Sequence, residues 1–380
     1  MNLPLVGIVG GYGAVGTATA GLLSDMGVAA LRVGGRRLDP AERLLAGLPA
    51  AGAAQAVDVF DEGSLSRFCA GCQVVVNCAG PSYQIGDRVA RAAQSAGAHY
   101  VDPGGDDPVA AALEAGGPYG AWTAILSAGM MPGLSSMLAR WLARELDSVE
   151  RLTAYIGTMD HLTPAGAGDY LLSLGGGFGT AQAAWRAGAF AHDALSPAAD
   201  IRLAFFPGPV TAYPFFSTEA ERLVRDLGIR DADWYNVFDG GAHMLGALGR
   251  LQGAMAGESA LVPAAAELIR AADLDMFGRS PYQVIHIQLH GRRAGQPAAP
   301  GVVLRGTDTY QLTGAVAAVA ARSLLAGGVP AGVHYAAEAI DPDDMLAVLG
   351  KLAAVASLIR LEGSAPLDRG DLGQPEEGVL

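Results

Sequence analysis

Short apolar runs alternate with amphipathic stretches through the first third of the chain. Residues 6–9 (V-G-I-V) form an apolar run that ends in Gly10-Gly11-Tyr12-Gly13-Ala14-Val15-Gly16. The spacing of residues 18–26 predicts a helix closed by Gly27, a residue suited to a left-handed cap. A second strand is expected at 29–33. A helix follows through 48, with Asp39 as N-cap and Pro40 at its first position. Residues 56–59 predict a third strand and 62–68 a helix. Residues 73–77 (Q-V-V-V-N) predict a fourth strand, apolar enough to be buried on both faces. A helix at 86–96 and strands at 99–101 and 122–126 complete the alternation. Strand and helix in strict turn imply a parallel, doubly wound sheet of the α/β class.

The rhythm changes after Pro132-Gly133. A helix is expected at 134–146 and a strand at 151–157. Residues 160–241 read as loop-rich, broken by Gly175-Gly176-Gly177 and Pro207-Gly208-Pro209. Residues 284–290 and 301–305 read as a hairpin, 313–326 as a helix, and 341–361 as containing another. The acidic, Gly/Pro-bearing end from 363 to 380 reads as a frayed tail.

Glycine position turns this outline into a binding site. Gly11-x-Gly13-x-x-Gly16 sits between a strand and a helix, where a dinucleotide fingerprint must sit. There one glycine allows the tight turn, one lets the backbone approach a pyrophosphate, and one lets helix and strand pack closely. The helix N-terminus then faces the phosphates. Gly175-x-Gly177-x-Gly179 lacks both the strand and the spacing and reads as a flexible loop. An NAD site would place an acid after the second strand, for the ribose 2′-hydroxyl. That place reads Gly34-Gly35-Arg36-Arg37, and guanidinium groups suit a 2′-phosphate. NADP is the expected cofactor. Asn77-Cys78-Ala79-Gly80-Pro81 follows the fourth strand at the carboxyl edge of the sheet, with room for ribose and nicotinamide; an ordinary turn is the alternative.

Composition narrows the classes. The 380 residues are 51% hydrophobic and 17% charged, enough for two cores and the reverse of a disordered chain. A net charge of −13 disfavours a phosphate-backbone partner, so nucleic-acid binding is not expected. The longest uncharged stretch, 116–139, is broken by Gly117-Pro118 and Pro132-Gly133, so no membrane span is expected. Residues 1–7 lack a basic lead and cleavage site, which favours a cytoplasmic location. Cys69-x-x-Cys72 has no second ligand pair, so with Cys78 it reads as a set of small apolar residues at a helix-to-strand junction, and no metal is expected.

These residues resemble a family. Val9-Gly-Gly-Tyr-Gly-Ala-Val-Gly16, Gly34-Gly-Arg36, Asp58-Val59, Val74-Val-Val-Asn-Cys-Ala-Gly-Pro81 and Ala96-Gly-Ala-His-Tyr-Val-Asp102 occur in the order seen in saccharopine dehydrogenase-like proteins. The likeness is strong to about residue 140 and returns at Thr313-Gly314, Gly332-Val333 and Asp341-Pro342. It implies an NADP-binding Rossmann domain (1–133), an inserted α+β substrate and dimerisation domain (134–306), and C-terminal helices returning to the first domain (307–362), ahead of the tail (363–380). It also implies a cofactor site that includes Gly10 to Gly16, Gly35, Arg36, Arg37, Asp58 and Asn77 to Pro81, and reversible hydride transfer to a C=N bond.

Amino-acid-reducing members of that family carry an acid before Pro-Gly, where this chain has Met130-Met131-Pro132-Gly133. A thioether cannot hold an ammonium. The expected substrate is therefore a small imine other than a free α-amino acid. Related thiazolinyl imine reductases of siderophore assembly offer a carrier-bound ring as one candidate. Aromatics at Phe178, Trp185, Phe205, Phe206, Phe215 and Phe216 would suit it, or are plain core. An opine-forming dehydrogenase, a C=O or C=C reductase and an NADP sensor remain the alternatives. A homodimer is expected.

Imine reduction needs a proton on nitrogen. Candidates are Asp102 after its strand, Tyr83 beyond Gly80-Pro81, and His161 and Tyr170 after the 151–157 strand. Asp160 or Asp169 could orient His161, a residue type widely used as a general acid. His286 and His290, on one face of the hairpin, read as structural.

Overall fold

The computed structural model describes residues 4–117, 119–173, 177–251, 260–363 and 378–379. Its elements run β1 (Leu5–Val9), α1 (Ala14–Asp25), β2 (Ala30–Gly35), α2 (Leu38–Ala46), β3 (Ala51–Ala56), α3 (Glu62–Cys69), β4 (Val74–Asn77), α4 (Ser82–Ile85), α5 (Arg88–Ser95), β5 (His99–Val101), α6 (Asp107–Glu114) and β6 (Thr123–Leu126). They continue through α7 (Leu134–Ala143), β7 (Ser148–Met159), α8 (Pro164–Ser173), β8 (Gly179–Ala181), β9 (Ala184–Arg186), β10 (Ala189–Ala191), β11 (Ala198–Arg202), β12 (Pro209–Ser217), α9 (Thr218–Asp226), β13 (Asp231–Phe238), α10 (Ala242–Leu251) and α11 (Leu261–Met276). The last are β14 (Tyr282–Arg293), β15 (Gln296–Ala298), β16 (Gly301–Gly306), α12 (Thr309–Leu325), β17 (Gly332–Tyr335), α13 (Ala336–Ala339), α14 (Pro342–Leu349), β18 (Val355–Leu361) and β19 (Gly378–Val379). Among the described residues, no helix is long and apolar enough to cross a membrane.

The chain divides into two compact units, Met1–Leu134 with Tyr310–Val348, and Ser135–Thr309 with Leu349–Leu380. The first is a parallel sheet in the order β3-β2-β1-β4-β5-β6-β17. Its strand order 3-2-1-4-5-6, with a seventh strand added, is that of a Rossmann sheet, which reverses direction between β1 and β4. Central β4 is buried along its whole length, as expected of a strand covered on both faces. Phe68, Val89, Ala93, Val109 and Leu113 from α3, α5 and α6 share one core with Val75, Tyr100 and Leu126 from the sheet. Gly314 of α12 approaches α1 so closely that a Cβ there would lie 2.6 Å from the Ala18 methyl.

The second unit is α+β. A mixed sheet runs β10-β9-β13-β7-β14-β16-β18-β19 along its main path; β7 pairs parallel with β13 and antiparallel with β14. Leu203 and Phe206, in the turn between β11 and β12, pack with Val237, Val284 and Val303 of the sheet. Helices α8, α10 and α11 form a core of their own around Leu171, Leu248 and Leu268.

Several local expectations change. The third strand lies at Ala51–Ala56, not 56–59; as an exposed edge of small residues it carries no apolar alternation to read. Asp39 lies in the first turn of α2, whose N-cap is Arg37, and pairs with Arg43 at 3.2 Å. The 86–96 helix is preceded by a separate turn of helix, α4, and breaks at Gly86 (φ +60°). Helix α6 was absent from the pattern. The stretch 160–241 holds two helices and six strands among its described residues; Gly175 and Gly176 lie outside them. Residues 307–362 are not helices alone, because β17 joins the first sheet and β18 the second. Most of the tail from 363 to 380 lies outside the described residues.

Candidate functional site

The carboxyl ends of β1, β2 and β4 converge at the reversal point of the first sheet. Gly10 has φ +69°, and a Cβ on it would meet the Ala79 backbone nitrogen at 2.6 Å. Gly10, one residue ahead of the three-glycine spacing, therefore makes the tight turn and admits the 78–79 backbone. Gly16 closes the loop from the helix side, since a Cβ there would lie 2.4 Å from the Gly10 carbonyl oxygen. A Cβ on exposed Gly13 would meet only the Gly10 oxygen, at 3.1 Å. The loop is thus full on the protein side and open above Gly13 and Ala14. No side chain caps α1, and its first turn carries no acid. Those N-terminal N–H groups suit an anion.

Tyr12 ties this loop to the end of β2. A Cβ on Gly35 would lie 2.3 Å from its ring, and its hydroxyl accepts a hydrogen bond from the Arg37 N–H at 3.2 Å. Both Arg36 and Arg37 are exposed, and among the described residues neither guanidinium has an ion-pair partner. Two uncompensated cations and no acid here match a 2′-phosphate. Asp58 lies just past β3, where Oδ1 accepts from the Phe60 N–H in a tight turn.

Beside the glycine loop, Asn77 ends β4 fully buried. Its Oδ1 accepts from the Ala79 N–H at 3.3 Å, and its Nδ2 donates to Asp102 at 3.2 Å. Asp102 is 1% exposed and also accepts from the Tyr100 hydroxyl at 2.5 Å and from the N–H groups of Gly104 and Gly105. Burial raises the Asp102 pKa, opposed by these hydrogen bonds. Expected as a proton carrier, it is instead a sealed carboxylate holding the 103–105 turn and, through Asn77, the 77–79 segment. Burial pushes the Cys78 thiol up to about 12, away from the thiolate form, and its Sγ lies 3.7 Å from the Thr19 hydroxyl. Cys69 and Cys72 are buried beside Arg32, which donates to the Phe68 and Ala70 carbonyls and so pins the α3–β4 junction.

Tyr83 sits half-buried on α4, and the neighbouring Ser82 hydroxyl lies against Gly104. Gly80 and Pro81 close the segment before it.

His161 and Tyr170 belong to the second unit. His161 follows β7 with its side chain 66% exposed, and its Nδ1 meets Asp273 of α11 at 2.8 Å. Asp160, expected to orient it, instead accepts from the backbone N–H groups of His161 and Thr309 and from the Gln283 side-chain amide. Sequence reasoning missed Asp273 because 112 positions separate it from His161. Tyr170 packs half-buried in the α8–α10–α11 core, and burial raises its pKa. The aromatic set divides: Trp185, Phe206 and Phe216 are buried, with Trp185 stacked on Phe216 at 6.3 Å, whereas Phe178, Phe205 and Phe215 are partly exposed. His286 is 1% exposed, with neither ring nitrogen hydrogen-bonded among the described residues, and burial lowers its pKa to about 4. Burial and Arg151 lower that of His290. Among the described residues, no three His, Cys, Asp or Glu gather as metal ligands.

Residues 6–125 match the family model for the saccharopine dehydrogenase NADP binding domain. No curated protein matches the chain. Among solved structures, apo saccharopine dehydrogenase (L-Glu forming) from Saccharomyces cerevisiae superposes with a TM-score of 0.68 at 15% identity, over 95% of this chain and 100% of that one. A DAP dehydrogenase from C. glutamicum, in complex with DAP, gives 0.46 at 16% identity over 91% and 96%. The yeast enzyme shares the fold across both units, and the family match falls on the glycine loop, the arginines and the Asn77 segment. Residues 6–125 thus form an NADP-binding Rossmann domain similar to that of saccharopine dehydrogenase, in a chain that shares the fold of the yeast enzyme.

Proposed function

We propose that this protein uses NADPH to reduce the C=N bond of a small imine that is not a free α-amino acid. The observation that carries the reading is the turn leading out of the first unit. Met130 is buried there, with its N–H bonded to the Thr313 hydroxyl, and Met131 is 40% exposed. No carboxylate stands in that turn to hold an ammonium, so an apolar ring is the better ligand. A carrier-bound thiazolinyl ring is one such substrate. Bound NADPH would supply the hydride to the imine carbon.

The chain's own residues bind and orient the dinucleotide through Gly10 to Gly16, Arg36 and Arg37, and bring a proton to the imine nitrogen. His161, with Asp273 on Nδ1, is the proposed proton source, and Tyr83 and Tyr170 are the alternatives. Nicotinamide absorbance with NADPH and a panel of cyclic imines tests the reading. Oxidation with imines and none with matched ketones or enones supports it, and the reverse sinks it. His161→Ala is expected to lower turnover ~10²–10⁴-fold, the range for losing a general acid. The expected profile of turnover against pH loses one ionisation. Parent and variant profiles of the same shape and height remove His161 from the mechanism and leave water as the donor.

A further inference from the structure

A cleft of about 320 Å³ opens at one end of the second unit's sheet, where the end of β7, the start of β14 and the end of β16 lie side by side. That volume is at the lower end of the ~300–1,000 Å³ found for small-molecule sites. Met159, Phe205, Pro207 and Val284 make its walls largely apolar, and Tyr282 and Arg305 also line it.

Two features of this cleft are unfavourable to the protein by itself, and a third leaves a cation available to a ligand. Phe205 has φ +71°, a left-handed conformation that is strained for a bulky residue, and such residues gather at ligand clamps. The Tyr282 hydroxyl is buried with no hydrogen-bond partner among the described residues. Arg305 is exposed, and among the described residues it has no ion-pair partner; the other arginine of the cleft, Arg279, is neutralised by Asp239. One ligand chemistry answers all three. An apolar plane would rest on the Phe205 ring, and an anionic end would take the Tyr282 O–H and the Arg305 guanidinium. A single uncompensated cation among apolar walls matches a monoanion better than a phosphate dianion.

We propose that this cleft binds a small organic carboxylate with a flat apolar body. The proposal uses residues of the second unit alone and does not depend on imine reduction. Titration calorimetry on the full chain tests it, with indole-3-acetate and its neutral isostere indole-3-acetamide as probes. NADP⁺ is kept at saturation so that Arg36 and Arg37 are occupied. The acid is expected to bind at least tenfold more tightly than the amide. In Arg305→Gln, a change at an exposed position, the two are expected to bind within about twofold. Tyr282→Phe is expected to weaken the acid several-fold while leaving the thermal midpoint unchanged or raised, because it removes a buried, unsatisfied hydroxyl. Equal affinities for acid and amide in the parent, no binding of either, or an undiminished preference in Arg305→Gln overturns the proposal.

Discussion

Arg36 and Arg37 stand where an NAD-binding chain would present a carboxylate, and that sign difference sets what the end of β2 can hold. Replacing both with alanine removes two exposed cations that form no ion pair among the described residues. The NADPH dissociation constant is expected to rise at least tenfold, about 1.4 kcal/mol, with little change for NADH. Fluorescence titration with both cofactors measures this, and equal weakening would show that the arginines do not read the 2′-phosphate. Asp102→Asn probes the residue next to the site in a different way. An amide at 102 can still accept from Gly104 and Gly105, but its NH₂ would face the NH₂ of Asn77. Asn77 would then have to flip, turning a donor toward the Ala79 N–H that it now accepts. One buried donor is left unmet whichever way the amides turn, so stability should fall by about 1–3 kcal/mol in urea titration. NADPH affinity should fall with it, since the 77–79 segment shifts; unchanged affinity would separate Asp102 from the cofactor loop.

At the scale of elements, the β1–α1 loop makes different demands on each glycine. Gly13→Val meets only the Gly10 oxygen, 3.1 Å from its Cβ, so the fold should survive with a small local shift while the pyrophosphate is excluded. Gly16→Val drives carbons into the Gly10 oxygen and should cost about 1–3 kcal/mol or more in overpacking. A folded Gly13→Val protein, by circular dichroism, that still binds NADPH normally would place the cofactor elsewhere. This loop was legible in the sequence because every residue it needs lies within seven positions. So was β4, whose valines can only be buried. Strand β3 was not, because an exposed edge of A-G-A-A-Q-A shows no alternation. Nor was the burial of Asp102, which depends on Asn77 arriving from the neighbouring strand β4. The His161–Asp273 pair and the left-handed Phe205 depend on tertiary folding across long sequence distances, which no local pattern reports.

For the whole molecule, acid sensitivity should be concentrated at His286. Its ring lies between Tyr155 and Phe205, without hydrogen-bond partners among the described residues, and its folded pKa of about 4 is below the 6.5 of an exposed imidazole. A depressed pKa means that the unfolded chain binds the extra proton. Stability is then full above about pH 6.5 and is lost as pH falls toward 4, by on the order of 3 kcal/mol. Urea midpoints at pH 7.5 and pH 4.5 should therefore differ more for the parent than for His286→Leu; equal differences would assign the acid sensitivity to other groups. The seventh strand of the first sheet has a consequence for synthesis. β17 pairs with β6, yet its residues follow nearly the whole second unit in the chain. At ~5–20 residues per second, a ribosome leaves the outer edge of β6 uncovered for about 10–40 s between residue 126 and residue 332. An uncovered strand edge is a template for the wrong partner. Nascent chains stalled in that interval are the ones that need a chaperone, and a frameshift between residues 135 and 309 would yield an aggregating product rather than a small working NADP-binding domain.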